Sequence, residues 1–148
     1  MIYLIIIVGL VLDRITKFWA VKTLMGQEDI RIIEGFFDFS YLENRGAAFG
    51  IFQGKTTILA GVTAVVLLIL FVNYLRTAKR SMVFTWANGL IITGAVGNLI
   101  DRLNYGYVVD FISLHYKNSY YFPSFNIADM CITFGTGFLL LYIIKEVD

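Results

Sequence analysis

TILAGVTAVVLLILFVNYL, residues 57–75, carries no charged side chain over a stretch as long as the hydrocarbon core of a bilayer. At about 1.5 Å of rise per residue such a helix covers roughly 30 Å, so it reads as a lipid-facing span. Three further apolar runs, residues 1–21, 83–100 and 126–144, make a set of four. The end of the last, Leu139-Leu140-Leu141-Tyr142-Ile143-Ile144, is equally plain. The first and third are interrupted by polar groups, and those interruptions carry the functional information.

Composition agrees with a membrane protein. Hydrophobic residues make up 58% of 148, the mean hydropathy is +0.73 and there is one proline, too little polar surface to cover a soluble globule of this size. The expected fold is therefore an all-α polytopic membrane protein, a single domain over residues 1–148. Its four transmembrane helices carry a small β-rich cradle on the outer, periplasmic or extracellular, face. A formal net charge of +1 offers no basic patch for nucleic acid. With one cysteine, Cys131, and one histidine, His115, neither an intrachain disulfide nor the usual zinc cluster can be built. A cleaved signal peptide is not expected, because Met1-Ile2-Tyr3 lacks a basic start and the apolar stretch runs on past Asp13.

Basic residues orient the chain. The turn at residues 76–82 holds Arg76, Lys79 and Arg80 with no acid, whereas the longer connection at 101–125 has only Arg102 and Lys117, so the short turn faces the cytoplasm. Four spans then put both termini on that side. Entering at Met1, Asp13 lies roughly 18 Å deep, which sets Asp13, Arg14 and Lys17 in the outer half of the first span. Asp101, Arg102, Asp110 and Asp129 converge on the same leaflet. A carboxylate near hydrocarbon depth costs several kcal/mol unless it is paired, protonated or used, so this gathering marks a site.

The outer connections have texture. Residues 30–33 and 37–42 are short β-prone runs, with Gly35 as the turn between them. Tyr105, Tyr107, Tyr116, Tyr120, Tyr121 and Phe122 supply rings for the headgroup region. Asp110 is placed in the connection after the third span and Asp129 in the first turn of the fourth. Asp13 and Lys17, four apart with the acid first, are spaced for an ion pair within one helix. His115 reads as interfacial decoration, Cys131 as a small packing residue, Trp19 and Trp86 as belt or packing residues, and Gly89, Gly94 and Gly97 as points of close helix approach.

Five blocks in order, Asp13-Arg14-Ile15-Thr16-Lys17, Asn44-Arg45-Gly46-Ala47-Ala48-Phe49-Gly50, Gly97-Asn98-Leu99-Ile100-Asp101-Arg102, Val108-Val109-Asp110-Phe111-Ile112 and Phe125-Asn126-Ile127-Ala128-Asp129, resemble the motifs of bacterial lipoprotein signal peptidase, signal peptidase II. Thr93 stands where that family often has glycine and Phe122 where tryptophan is common. The resemblance implies an aspartic endopeptidase of the bacterial cytoplasmic membrane. Its substrate is a diacylglyceryl-modified prolipoprotein, cut just before the lipidated cysteine, and no metal or organic cofactor is needed. It makes Asp110 and Asp129 the catalytic pair. Asn44, Gly46, Asn98, Arg102 and Asn126 become substrate-binding or site-supporting residues, with Asp13, Lys17 and Asp101 behind them. Membrane phospholipid is the second expected partner, and a monomer the expected state.

The chemistry stands on its own footing as well. Two carboxyls in a low-dielectric site cannot both ionise, so they hold one proton between them and titrate as a unit. One can take a proton from an attacking water while the other donates to the scissile carbonyl. Acids, a lysine and asparagines among four helices also suit a small proton- or cation-coupled transporter, but that needs polar groups through the full membrane thickness. The second span and the inner half of the fourth lack any charged residue, which argues against a continuous path. A non-catalytic scaffold leaves the paired aspartates without a purpose.

Overall fold

The computed structural model describes residues 1–46, 52–78, 80–117 and 119–147. Residues 47–51, which complete the block begun by Asn44, and Lys79 of the basic turn lie outside the described residues. In chain order the elements are α1 (Ile2–Leu24), β1 (Ile30–Ile33), β2 (Phe37–Asn44), α2 (Thr56–Arg76), α3 (Met82–Tyr105), β3 (Val108–Tyr116), β4 (Tyr120–Tyr121) and α4 (Ile127–Val147).

Three helices are long and apolar enough to cross a membrane: α2, α3 and α4 over Ile127–Lys145. Helix α1 matches them in length but carries Asp13, Arg14, Lys17 and Lys22, so composition alone does not rank it with the others. Helix α3 is the centre of the bundle. Its glycines and small residues let neighbours approach: a Cβ on Gly94 would run into the carbonyl oxygen of Ala128 in α4, and one on Gly89 would meet Ile5 of α1 at 3.0 Å. Helix α2, by contrast, buries only Ala60 and shows the rest of its length to the surroundings. Ser81 starts α3 by accepting the Phe84 N–H at 3.1 Å, and Gly106, at φ +74°, ends it by donating its N–H to the Arg102 carbonyl.

At the turn between α2 and α3, Arg80 folds back onto the end of α2. Its Nε donates to the carbonyls of Tyr74 and Thr77 at 3.0 and 3.1 Å, with the guanidinium 4.3 Å from the Tyr74 ring centre. These are the orphan carbonyls and the negative pole of a helix end, which a cation satisfies. Tyr74 in turn stacks on Phe84, and Phe84 meets Tyr142 at a tilt of 48°, so the rings tie α2, α3 and α4 together there.

The opposite end carries a four-stranded antiparallel sheet in the order β1-β2-β3-β4. The turn at Gly35, with φ +73°, joins β1 to β2 as its sequence suggests. The expectation of an open connection around Asp110 is corrected: residues 108–116 form the longest strand and Asp110 sits inside it. The apolar run hid this, because β3 is buried on both faces through its first half and so shows no alternation. Trp19 docks α1 onto the sheet, edge-on to Phe39 at 5.2 Å and to Phe111 at 6.2 Å, above a core of Ala20, Leu24, Val109 and Phe111. His115 also departs from its reading as interfacial decoration. Its side chain is buried, its Nε2 lies 2.8 Å from Asp38 Oδ2, and its ring stacks on Tyr121. The partner is in β2, far away in sequence, so no local pattern announces the pair.

Candidate active site

A one-residue slip in the sheet builds the first half of the site. Phe39 pairs with Ile112, but Leu42 pairs with Asp110 and Asn44 with Val108, so β2 spends one extra residue against β3. In unbroken register Tyr41 would stand opposite Asp110, and Asn44 would point to the other face. The bulge reverses this and sets Asn44 diagonally across from the acid. Its Nδ2 donates to Asp110 Oδ2 at 2.9 Å, while its own Oδ1 takes the Gly46 N–H at 3.0 Å.

The start of α4 builds the second half. Asn126 Oδ1 accepts the Asp129 N–H at 3.0 Å, and Asp129 Oδ2 accepts the Asn126 N–H at 3.2 Å. This is a reciprocal capping box, with Asp129 as its third-residue acid. The same Asn126 reaches across to β3, donating through Nδ2 to Asp110 Oδ1 at 2.7 Å. From α3, Asn98 Nδ2 donates to Asp129 Oδ1 at 2.7 Å. Each carboxylate thus receives a donor on both oxygens, and amides link the two acids.

Behind them lies a buried ion cluster between α1 and α3. Lys17 Nζ is 3.2 Å from Asp13 Oδ1, 2.8 Å from Asp101 Oδ2 and 3.0 Å from Asn98 Oδ1. The pair within α1 is present as its spacing predicts, joined by partners that spacing does not reveal. Asp13 Oδ1 also accepts the Ala128 N–H, one of the orphan donors at the base of α4, and Asp101 Oδ2 accepts the Val109 N–H beside Asp110. Sequence reasoning missed Arg14, which spans Asp13 at 2.6 Å, Asp101 at 2.7 Å and the Gly97 carbonyl at 3.0 Å. It stands inside a motif already singled out, and two acids facing two bases on neighbouring apolar helices was the signal that pairs it.

A cavity of about 780 Å³ opens beside this assembly, walled by Asn44, Asn98, Arg102 and Asp129, with Phe122 and Phe134 among its apolar surfaces. Arg102 Nη2 donates to the Gly46 carbonyl at 3.4 Å, and its buried Nε has no partner among the described residues. Asp129 is half-buried and faces the cavity, whereas Asp110 is fully buried and is reached from it through Asn44. Burial, followed by the nearby charge of Asp129, raises the Asp110 carboxyl from the ordinary 3.8 to about 7, against the lowering effect of the two amides. No group of three or more metal-ligating side chains occurs among the described residues.

All ten sequence-predicted residues therefore meet: Asn44, Asn98, Arg102 and Asp129 at the cavity wall, Asp110, Gly46 and Asn126 bonded to them, and Asp13, Lys17 and Asp101 behind. Comparison with known proteins gives the family. Residues 5–145 match the family model described as signal peptidase (SPase) II. The lipoprotein signal peptidase of Clostridium tetani is 51% identical over 97% of this chain and 92% of its own, and that of Clostridium novyi 50% over 97% of each. A solved bacterial membrane enzyme superposes with a TM-score of 0.87 at 31% identity, covering 99% of this chain and 89% of that one. A second gives 0.85 at 32%, covering 98% and 93%. This chain belongs to the signal peptidase II family.

Proposed function

We propose that the chain is an aspartic endopeptidase acting through Asp110 and Asp129, and that it removes the signal peptide from diacylglyceryl-modified prolipoproteins by cutting just before the lipidated cysteine. The observation that carries this reading is the amide-linked pair of carboxyls, with Asp129 at the cavity wall and Asp110 buried just behind it. Asp129, open to the cavity, is the base that takes a proton from water. Asp110, whose carboxyl stays protonated up to about pH 7, is the acid that donates to the carbonyl oxygen and then to the leaving amine. The peptide is cleaved without a covalent intermediate and without a cofactor.

In this reading α1 is the fourth span. Asp13, Lys17 and Arg14 neutralise one another and Asp101 inside the bundle, so the charges that lower its hydropathy do not meet lipid. Both termini are cytoplasmic, with Arg76 and Arg80 on the same side, and the sheet lies on the outer surface of the bacterial cytoplasmic membrane. Tyr116, Tyr120 and Tyr121, exposed on the sheet, suit phospholipid headgroups. The proposed state is a monomer.

The test is cleavage of a diacylglyceryl-modified prolipoprotein by purified protein in detergent, with Asp110→Asn and Asp129→Asn at matched folding. Each substitution is expected to abolish turnover, and an unlipidated precursor to remain uncut by the wild type. Turnover surviving in either variant removes that aspartate from the mechanism.

A further inference from the structure

We propose that Lys17 is a positioning residue for Asp129, acting through the side-chain amide of Asn98; the inference rests on the dyad reading above. An ammonium has three donors and no acceptor, and Lys17, 3% exposed, meets three oxygens: Asp101 Oδ2, Asn98 Oδ1 and Asp13 Oδ1. Asn98 is itself buried, and the two ends of its amide have nearly the same shape, so its neighbours decide which way it points. Its oxygen faces Lys17 at 3.0 Å and Asn126 Nδ2 at 3.3 Å, and its nitrogen faces Asp129 at 2.7 Å. A half-turn of the amide would aim NH₂ at an ammonium and a carbonyl at a carboxylate, repulsive at both ends. Lys17 supplies one of those two repulsions and with it helps keep a donor on Asp129.

Holding α1 to α3 does not by itself require this lysine. Arg14 already bridges Asp13 and Asp101 through their other oxygens, and it does not touch Asn98. The contact that distinguishes Lys17 from Arg14 is the one leading to the reacting carboxylate. Around that carboxylate stand Arg102 and Asn98 from α3, Asp110 from β3 and Asn126 at the start of α4; the charge of Lys17 acts on it through space, and its only hydrogen-bonded route to it runs by way of Asn98.

The experiment is a double-mutant cycle on kcat and KM for the lipid-modified precursor in detergent, using Lys17→Met, Asn98→Ala and both together. Each single change should lower kcat roughly 10- to 100-fold with KM within about twofold, the scale of one hydrogen bond to a charged group. The double variant should lie close to Asn98→Ala alone and well short of the product of the two single effects, because removing the amide leaves Lys17 nothing to orient and only its charge to act through space. Multiplying effects would overturn the proposal. Losing a buried cation can unfold the protein, so the cycle is repeated with Lys17→Met/Asp13→Asn, which removes one charge of each sign. If that balanced variant turns over like wild type, Lys17 serves neutralisation alone and the proposal falls. Asp129→Asn, run alongside, separates the two readings: turnover there defeats the dyad, whereas loss there together with a multiplying cycle defeats only the relay.

Discussion

Asn126 serves two masters, and two substitutions separate them. Its oxygen caps α4 by accepting the Asp129 N–H at 3.0 Å, and its nitrogen donates to Asp110 at 2.7 Å. Serine keeps a good cap but is too short to hold Asp110 at the same time, whereas alanine loses both functions. Replacing a cap by alanine costs about 1 kcal/mol, and losing a hydrogen bond to a charged group about 1.5–3 kcal/mol. If the second energy is expressed in the transition state, it corresponds to a roughly 10- to 150-fold fall in kcat. Both variants should therefore cleave the lipid-modified precursor more slowly by a similar factor. Only Asn126→Ala should also unfold earlier, by about 1 kcal/mol relative to Asn126→Ser in detergent. Wild-type turnover in the serine variant would refute the link from Asn126 to the dyad, and equal stability of the two would refute the cap.

Three further outcomes follow from the geometry. Between its ordinary value of 3.8 and about 7, Asp110 holds a proton in the folded chain that the unfolded chain has released. Its contribution to stability therefore falls as pH rises through that window, and the pH dependence of the unfolding midpoint should be flatter in Asp110→Asn than in wild type. Gly94→Ala drives a Cβ into the Ala128 carbonyl and should lose about 1–3 kcal/mol of stability in a detergent melt, while Gly137→Ala, with nothing near its Cβ, should be neutral or stabilising. Trp19→Ala removes two edge-on ring contacts between α1 and the sheet; a loss of about 1–3 kcal/mol is expected, read as earlier proteolysis of the β1–β2 segment at unchanged helix content.

How much of this was legible in the sequence depends on the reach of each interaction. Spans α2, α3 and α4, the strands on either side of Gly35 and the Asp13–Lys17 pair all arise from neighbours within a few residues, and they stand where the pattern puts them. The ordered motifs named the polar residues Asn44, Asn98, Arg102 and Asp129 of the cavity wall, while Phe122 and Phe134 of its apolar lining lie outside them. What stayed hidden was register and long-range pairing. No local signal places an extra residue between Phe39 and Leu42, although that slip turns Asn44 toward Asp110. His115 finds Asp38, and Arg14 finds Asp101, only after the fold has closed. The β3 strand escaped for a related reason: burial on both faces erases the alternation by which strands are read.

The capping box under Asp129 means that a proposed catalytic group and a helix terminus are built from the same hydrogen bonds. Helix ends open more readily than whole domains, on their own and reversibly. Unwinding the first turn of α4 would release Asp129 and Asn126 together, disarming the peptidase while α1, α3 and the sheet remain assembled. Heating should therefore silence cleavage some degrees before the bundle melts, with full recovery on cooling. Amide exchange at residues 128–130 would keep time with that loss rather than with global unfolding.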